Sequence, residues 1–261
     1  MSPRHALRHH WPEYLIEAWG LGSFMVSAGL FVSLLEYPGS PVHVLLPDPN
    51  LRRLLIGLAM GLTAIGIIYS PWGQQSGAHL NPAVTLTFLR LGKIAPWDAV
   101  FYILAQFIGG TLGVLLVALL LGRIFTNPPV TYIATVPGQA GVWAALAAEF
   151  TISLGLMVTV LAFMNSAKFG RLTGVAAGTL VALYITIEAP LSGMSMNPAR
   201  TFASGAPGGI WTHAWIYYTT PIVGMFAAVE GYRALRGRTT RMCAKLDHPK
   251  DKRCIHCGYR P

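Results

Sequence analysis

Ser76-Gly77-Ala78-His79-Leu80-Asn81-Pro82-Ala83-Val84-Thr85 and, further along the chain, Ser192-Gly193-Met194-Ser195-Met196-Asn197-Pro198-Ala199-Arg200-Thr201 are two copies of one pattern. Each is a glycine-containing loop that runs into Asn-Pro-Ala and then into an apolar segment too short to cross a bilayer. Asn is a strong helix N-cap, and Pro is favoured at the first helical position because its missing N–H would have no partner there. The pattern therefore predicts two short helices, over residues 82–91 and 198–204, the first closed by Gly92.

The surrounding chain belongs to a membrane. Of 261 residues, 53% are hydrophobic and 11% charged, whereas a soluble domain carries about a quarter charged residues. Apolar runs at residues 14–35, 51–69, 97–121, 142–164, 172–189 and 211–233 are each close to the roughly 20 residues a helix needs to span a bilayer. The first run follows a basic start, as a signal peptide does, but it exceeds an h-region of about 7–15 residues and reads as a retained span. The domain reading is a polar N-terminal segment 1–13, a membrane-spanning unit 14–235 with repeats 14–121 and 142–233, and a basic Cys/His tail 236–261.

The halves repeat beyond the two loops. Gly57-Leu58-Ala59-Met60-Gly61 matches Gly174-Val175-Ala176-Ala177-Gly178, Tyr102 with Gly109 matches Tyr217 with Gly224, and Glu17 and Glu149 hold comparable places. Three spans per half is an odd number, so the second half must be inverted relative to the first, and interrupted segments in corresponding positions then mark a transport site. The fold expected is all-α, six transmembrane helices plus two half-helices in an inverted repeat. Fifteen of the 19 Lys and Arg residues fall on the face of the termini, counting Arg4, Arg8, Arg90, Lys93, Lys168, Arg171 and nine from Arg233 onward. Only Arg52, Arg53 and Arg123 fall on the other. That bias places both termini in the cytoplasm, with a plasma (inner) membrane location, and accounts for the net charge of +9 without nucleic acid as a partner.

In lipid, irregular backbone persists only where it is buried in protein or lines a water-filled cavity. Two loops entering from opposite faces bring their helix N-termini together at mid-membrane. Asn81 and Asn197 then direct amide N–H groups at a common lumen, and the two positive helix ends favour neutral hydrogen-bond acceptors over cations and protons.

Both Asn-Pro-Ala motifs, the six spans and the inverted halves resemble the aquaporin (major intrinsic protein) family over residues 14–233. The resemblance implies a passive channel for water without catalysis, a homotetramer with one pore per subunit, and motif residues Asn81, Pro82, Ala83, Asn197, Pro198 and Ala199. It implies that Arg200 belongs to an outer constriction with Met60, Ile185 and Met194, or with Tyr184 if the fifth helix is offset by one. The alternative for Arg200 is pairing with a carboxylate. Strict water channels place a His where this chain has Ile185. Thr201 and Tyr217-Tyr218 are nevertheless water-branch markers, where glycerol facilitators have Asp and Pro-Leu or Pro-Ile. Water therefore stands first, with glycerol, urea, ammonia or carbon dioxide as the alternative. Glu17 and Glu149 are implied to accept hydrogen bonds from the loop backbones, against the rival of a proton relay in an ion-coupled transporter that would add Glu188. His79 is implied to support its loop.

The tail carries Cys243-x4-His248-x5-Cys254-x2-Cys257, with His256 as another donor. Cys3His is a tetrahedral set that zinc accepts. A cytoplasmic location disfavours a disulfide. The alternatives are a basic tail with free or lipid-modified Cys, or a metal- or redox-sensing module on a membrane anchor.

Overall fold

The computed structural model describes residues 2–236, 243–249 and 251–260; Arg238, Arg241 and Lys250 of the basic tail lie outside them. Every regular element among the described residues is helical. Pro3–Glu36, Pro49–Tyr69, Pro96–Leu121, Val142–Met164 and Gly170–Ile187 are long and apolar enough to cross a membrane. The sixth span, Trp215–Arg236, has 22 residues, or about 33 Å at 1.5 Å per residue. Its final turns are polar, and there Glu230 pairs with Arg90 of the first short helix at 2.9 Å and with Arg233 at 3.3 Å.

A recurrent local rule starts these helices: a capping side chain followed by Pro. Ser2, Ser40, Asp48, Ser70, Asn81 and Asn197 each accept a hydrogen bond from the first helical turn, with Pro next in the chain. The first of these caps shifts a boundary. The polar segment ahead of the first span is helix from Pro3 onward, because Ser2-Pro3 starts it and its inner face finds partners. His10 Nδ1 lies 2.8 Å from Asp98 Oδ1, Tyr14 donates to the same oxygen at 2.6 Å, and Ala6 and Glu13 are fully buried.

The short helices are Pro82–Arg90 and Pro198–Gly205, and Gly92 sits beyond the first with φ +68°, the left-handed stop expected there. Loops read as irregular hold further single turns at Pro41–Leu45, Pro71–Ser76 and Ala189–Ser192. The first span packs on the third, the second on the fifth and the fourth on the sixth. Leu104, Ile108, Leu112 and Leu119 of the third span stay exposed, as a lipid-facing stripe should.

Where the second and fifth spans cross, backbone meets backbone. A Cβ built on Gly61 would lie 2.6 Å from the Gly178 carbonyl oxygen, and one on Gly178 would lie 2.7 Å from that of Gly61. Ile65 Cγ1 crowds the Gly178 position as well, and although that side chain can shift, the Gly61 carbonyl is helix backbone and cannot, so Gly178→Val should destabilise the protein by about 1–3 kcal/mol or more through overpacking. Thermal unfolding in detergent reads this directly; an unchanged transition would contradict the close crossing.

Candidate functional site

The two loops are bent into conformations that ordinary residues avoid. Gly77 and Gly193 turn left-handed at φ +103° and +79°, and then Ala78 (+53°), Leu80 (+51°), Met194 (+50°) and Met196 (+53°) do the same. For residues with a Cβ this costs roughly 1–2 kcal/mol each. Something must hold them, and the buried carboxylates do. Glu17 accepts from Ser76 Oγ at 2.7 Å, His79 N at 3.1 Å, Leu80 N at 2.7 Å and Gln106 Nε2 at 2.8 Å. Glu149 accepts from Ser192 Oγ at 2.7 Å, Ser195 N at 2.7 Å and Met196 N at 2.8 Å. Both carboxylates are fully buried and neither lines the lumen described next. A relay needs carboxylates in contact with the path; these face the backs of the loops.

A cavity of about 540 Å³ runs between the spans, lined by both loops. His79, Asn81 and Asn197 line it, as do Arg200, Met60, Ile185 and Met194. The other motif residues do not: Pro82, Ala83, Pro198 and Ala199 are buried behind the lumen. The Asn amides, expected to direct N–H groups at the lumen, also have protein partners. Asn81 Nδ2 donates to Met196 O at 2.7 Å and Asn197 Nδ2 to Leu80 O at 2.8 Å. Each Oδ1 caps its own helix, with Ala83 N at 2.8 Å and Ala199 N at 3.1 Å. A carboxamide nitrogen has two hydrogens, so each Asn braces the opposite loop with one and retains one for the lumen.

Arg200 forms no ion pair among the described residues; Nη1 lies 3.4 Å from Ser204 Oγ. Ile185, not Tyr184, faces the cavity. The Tyr184 hydroxyl points at the fourth span, where a Cβ on Gly155 would meet it at 2.5 Å.

Several supporting residues escape a reading of the motifs. Gln106 bridges Glu17 and Thr85 Oγ1, the latter at 3.1 Å, and His79 Nδ1 lies 3.1 Å from the same hydroxyl. In the second half Ser195 Oγ takes the place of that imidazole, 2.6 Å from Thr201 Oγ1. Tyr102 donates to Ser76 O at 2.8 Å and Tyr217 to Ser192 O at 2.6 Å. This tyrosine pair was visible as a repeat match, and its role is to close the start of each loop.

In the tail, the ligand atoms of Cys243, His248, Cys254 and Cys257 all lie within 4.8 Å of one another. Cys243 Sγ is 3.2 Å from Cys254 Sγ, and His248 Nε2 is 3.3 Å from Cys257 Sγ. The Cys243 thiol beside it, as a hydrogen-bond donor, lowers Cys254 below the ordinary thiol range, which favours the thiolate, the form that binds metal. His256 stands outside the cluster, with Nε2 3.1 Å from Ser76 O.

Removing an anchor tests the loop geometry. Glu149→Ala would leave two buried N–H groups without an acceptor, at about 1–3 kcal/mol each, while Glu149→Gln keeps one carbonyl oxygen. Thermal unfolding should rank wild type above Gln and Gln above Ala; a wild-type transition for Ala would refute the anchoring.

Residues 13–232 match the family model described as Major intrinsic protein. The chain is 33% identical over 231 residues to "Aquaporin NIP2-3" of Zea mays, covering 87% of this chain and 74% of that one. To "Probable aquaporin NIP-type" of Nicotiana alata it is 36% identical over 184 residues, with 69% and 65% covered. Among solved structures it is similar to the aquaglyceroporin from Plasmodium falciparum, with a TM-score of 0.64 at 20% identity, covering 85% of this chain and 94% of that one, a likeness of fold. With paired loops held by buried carboxylates around one lumen and a family match along most of its length, the chain belongs to the major intrinsic protein family, the aquaporins.

Proposed function

We infer that the chain is a passive membrane channel for water and small neutral solutes. The observation that carries the reading is the cavity lined by both Asn-Pro-Ala loops and by Arg200. Two helix N-termini and an unpaired guanidinium make its middle and outer parts electropositive, which repels cations and protons. Three of the four constriction residues, Met60, Ile185 and Met194, are apolar. Such a ring binds water weakly and accepts a solute with a carbon face, so the channel takes urea- or glycerol-sized neutral solutes beside water. Glu17, Glu149 and His79 hold the loops and take no part in transport chemistry. The chain works as a homotetramer with one pore per subunit, in the plasma membrane with both termini cytoplasmic. The clustering of Lys and Arg on the terminal face supports that orientation, and Arg253 bonding Glu13 at 3.0 Å keeps the two terminal regions on one side.

Stopped-flow light scattering on proteoliposomes separates the solutes. Hyperosmotic sucrose should give shrinkage faster than in protein-free liposomes, and urea or glycerol should give shrinkage followed by re-swelling. Shrinkage without re-swelling would confine the channel to water, and solute accumulation against a gradient would overturn a passive channel.

The tail cluster fits zinc. Zinc–ligand distances of about 2.0–2.3 Å in a tetrahedron require ligand–ligand edges of about 3.3–3.8 Å, and separations here run from 3.2 Å to no more than 4.8 Å. Full-length protein purified without chelator should carry about one zinc per chain by elemental analysis. The double variant Cys254→Ser, Cys257→Ser should carry none. A metal-free wild-type protein would end this assignment.

A further inference from the structure

The tail does not hang free. Its first described residues lie across the mouth of the lumen on the face that carries the N-terminus. His79, inside the first pore loop, directs Nε2 at Ala244 O at 2.8 Å. A carbonyl can only accept, so Nε2 carries the proton and Nδ1 takes the Thr85 hydroxyl. Leu246 N donates to Gly77 O at 3.2 Å, which adds the tail backbone to the loop backbone. Gln74 Nε2 holds Asp247 at 2.8 Å, and Arg253 holds Glu13 and the His9 carbonyl. Lys245 is fully buried, with Nζ on Arg253 O at 3.0 Å.

These contacts put one apolar side chain where transport occurs. Leu246, 6% exposed, lines the lumen together with Ile68, Leu156, Val160 and Ala177, which come from three different spans. It is the tail's contribution to the wall of the pore. The residues that pin it, 243–247 and 253–256, are the ones brought together by the Cys/His cluster: Cys243 precedes Ala244, and His248 follows Asp247. Without a cross-link, a segment this short and polar has little core of its own to hold its shape, and small domains of this kind rely on a metal for it.

We propose that the C-terminal tail is a metal-set plug: zinc bound by Cys243, His248, Cys254 and Cys257 holds residues 243–249 and 251–257 on the cytoplasmic mouth with Leu246 in the lumen, and loss of the metal frees the mouth. The proposal rests on the zinc reading of the cluster and adds its consequence for flux. His79 acquires a second task in it, because the imidazole that braces the pore loop is also the latch for the tail.

The test uses full-length protein in proteoliposomes under reducing conditions, with bound zinc and water permeability measured on the same samples. Zinc-loaded protein should conduct slowly, and a membrane-permeant zinc chelator should raise permeability several-fold, with zinc re-addition restoring the slow state. Leu246→Ala should keep its zinc yet conduct several-fold faster before chelation and respond little to it. Stoichiometric zinc with a permeability indifferent both to chelation and to Leu246→Ala would overturn the plug and leave the metal site standing. Absence of bound zinc would overturn the metal site and the metal-set plug together.

Discussion

Two carboxylates buried inside membrane spans carry this structure. A charged side chain at membrane depth is costly, and Glu17 and Glu149 offset that cost by gathering donors that would otherwise have no acceptor. Each loop crosses lipid depth with its backbone unwound, and unwound N–H groups have neither water nor a helix to bond with. The carboxylate supplies what water would have supplied. Because it takes two successive loop N–H groups and a serine hydroxyl together, it also selects the strained left-handed residues at 78 and 80, and at 194 and 196, over the relaxed alternatives.

The strain has a use. Alternating left-handed residues let one side of each loop face its carboxylate while the other keeps its carbonyls and the Asn side chain toward the opposite loop. The exchange of bonds between Asn81 and Met196 O, and between Asn197 and Leu80 O, closes the two halves on each other. Neither loop is complete alone. Symmetry provides the centre of the lumen, and the two copies differ in what they present to it: Arg200 and Met194 stand where the first copy has Val84 and Ala78.

What could be read from the residues alone follows the range of the interactions. Caps act over three residues and apolar runs over about twenty, so both half-helices and the spans, apart from the start of the first, were legible to within a few positions. The motif and its duplication placed the lumen, and the matched Tyr102 and Tyr217 were visible before their hydrogen bonds were. The helical start at Pro3 was signalled by Ser2-Pro3, yet hydropathy outweighed it because the buried side of that segment is polar and paired with Asp98. Gln106 gave no signal: a single amide in an apolar run says nothing about which carboxylate it meets. The docking of the tail was likewise hidden, because Ala244 and His79 are brought together only by the completed surface of the mouth on the N-terminal face, and the lone Cys-x2-Cys could not say where its cluster would sit.

The first helix has a further property that follows from its continuity. Glu13, which receives Arg253 from the tail and Gln75 from the first loop, and Glu17, which anchors that loop, are one helical turn apart on the same side. A pull on the tail thus reaches the pore loop through about 6 Å of stiff helix. The mouth that the tail covers and the loop that meets its partner at Asn197 are thus tied to one helical turn of the first span.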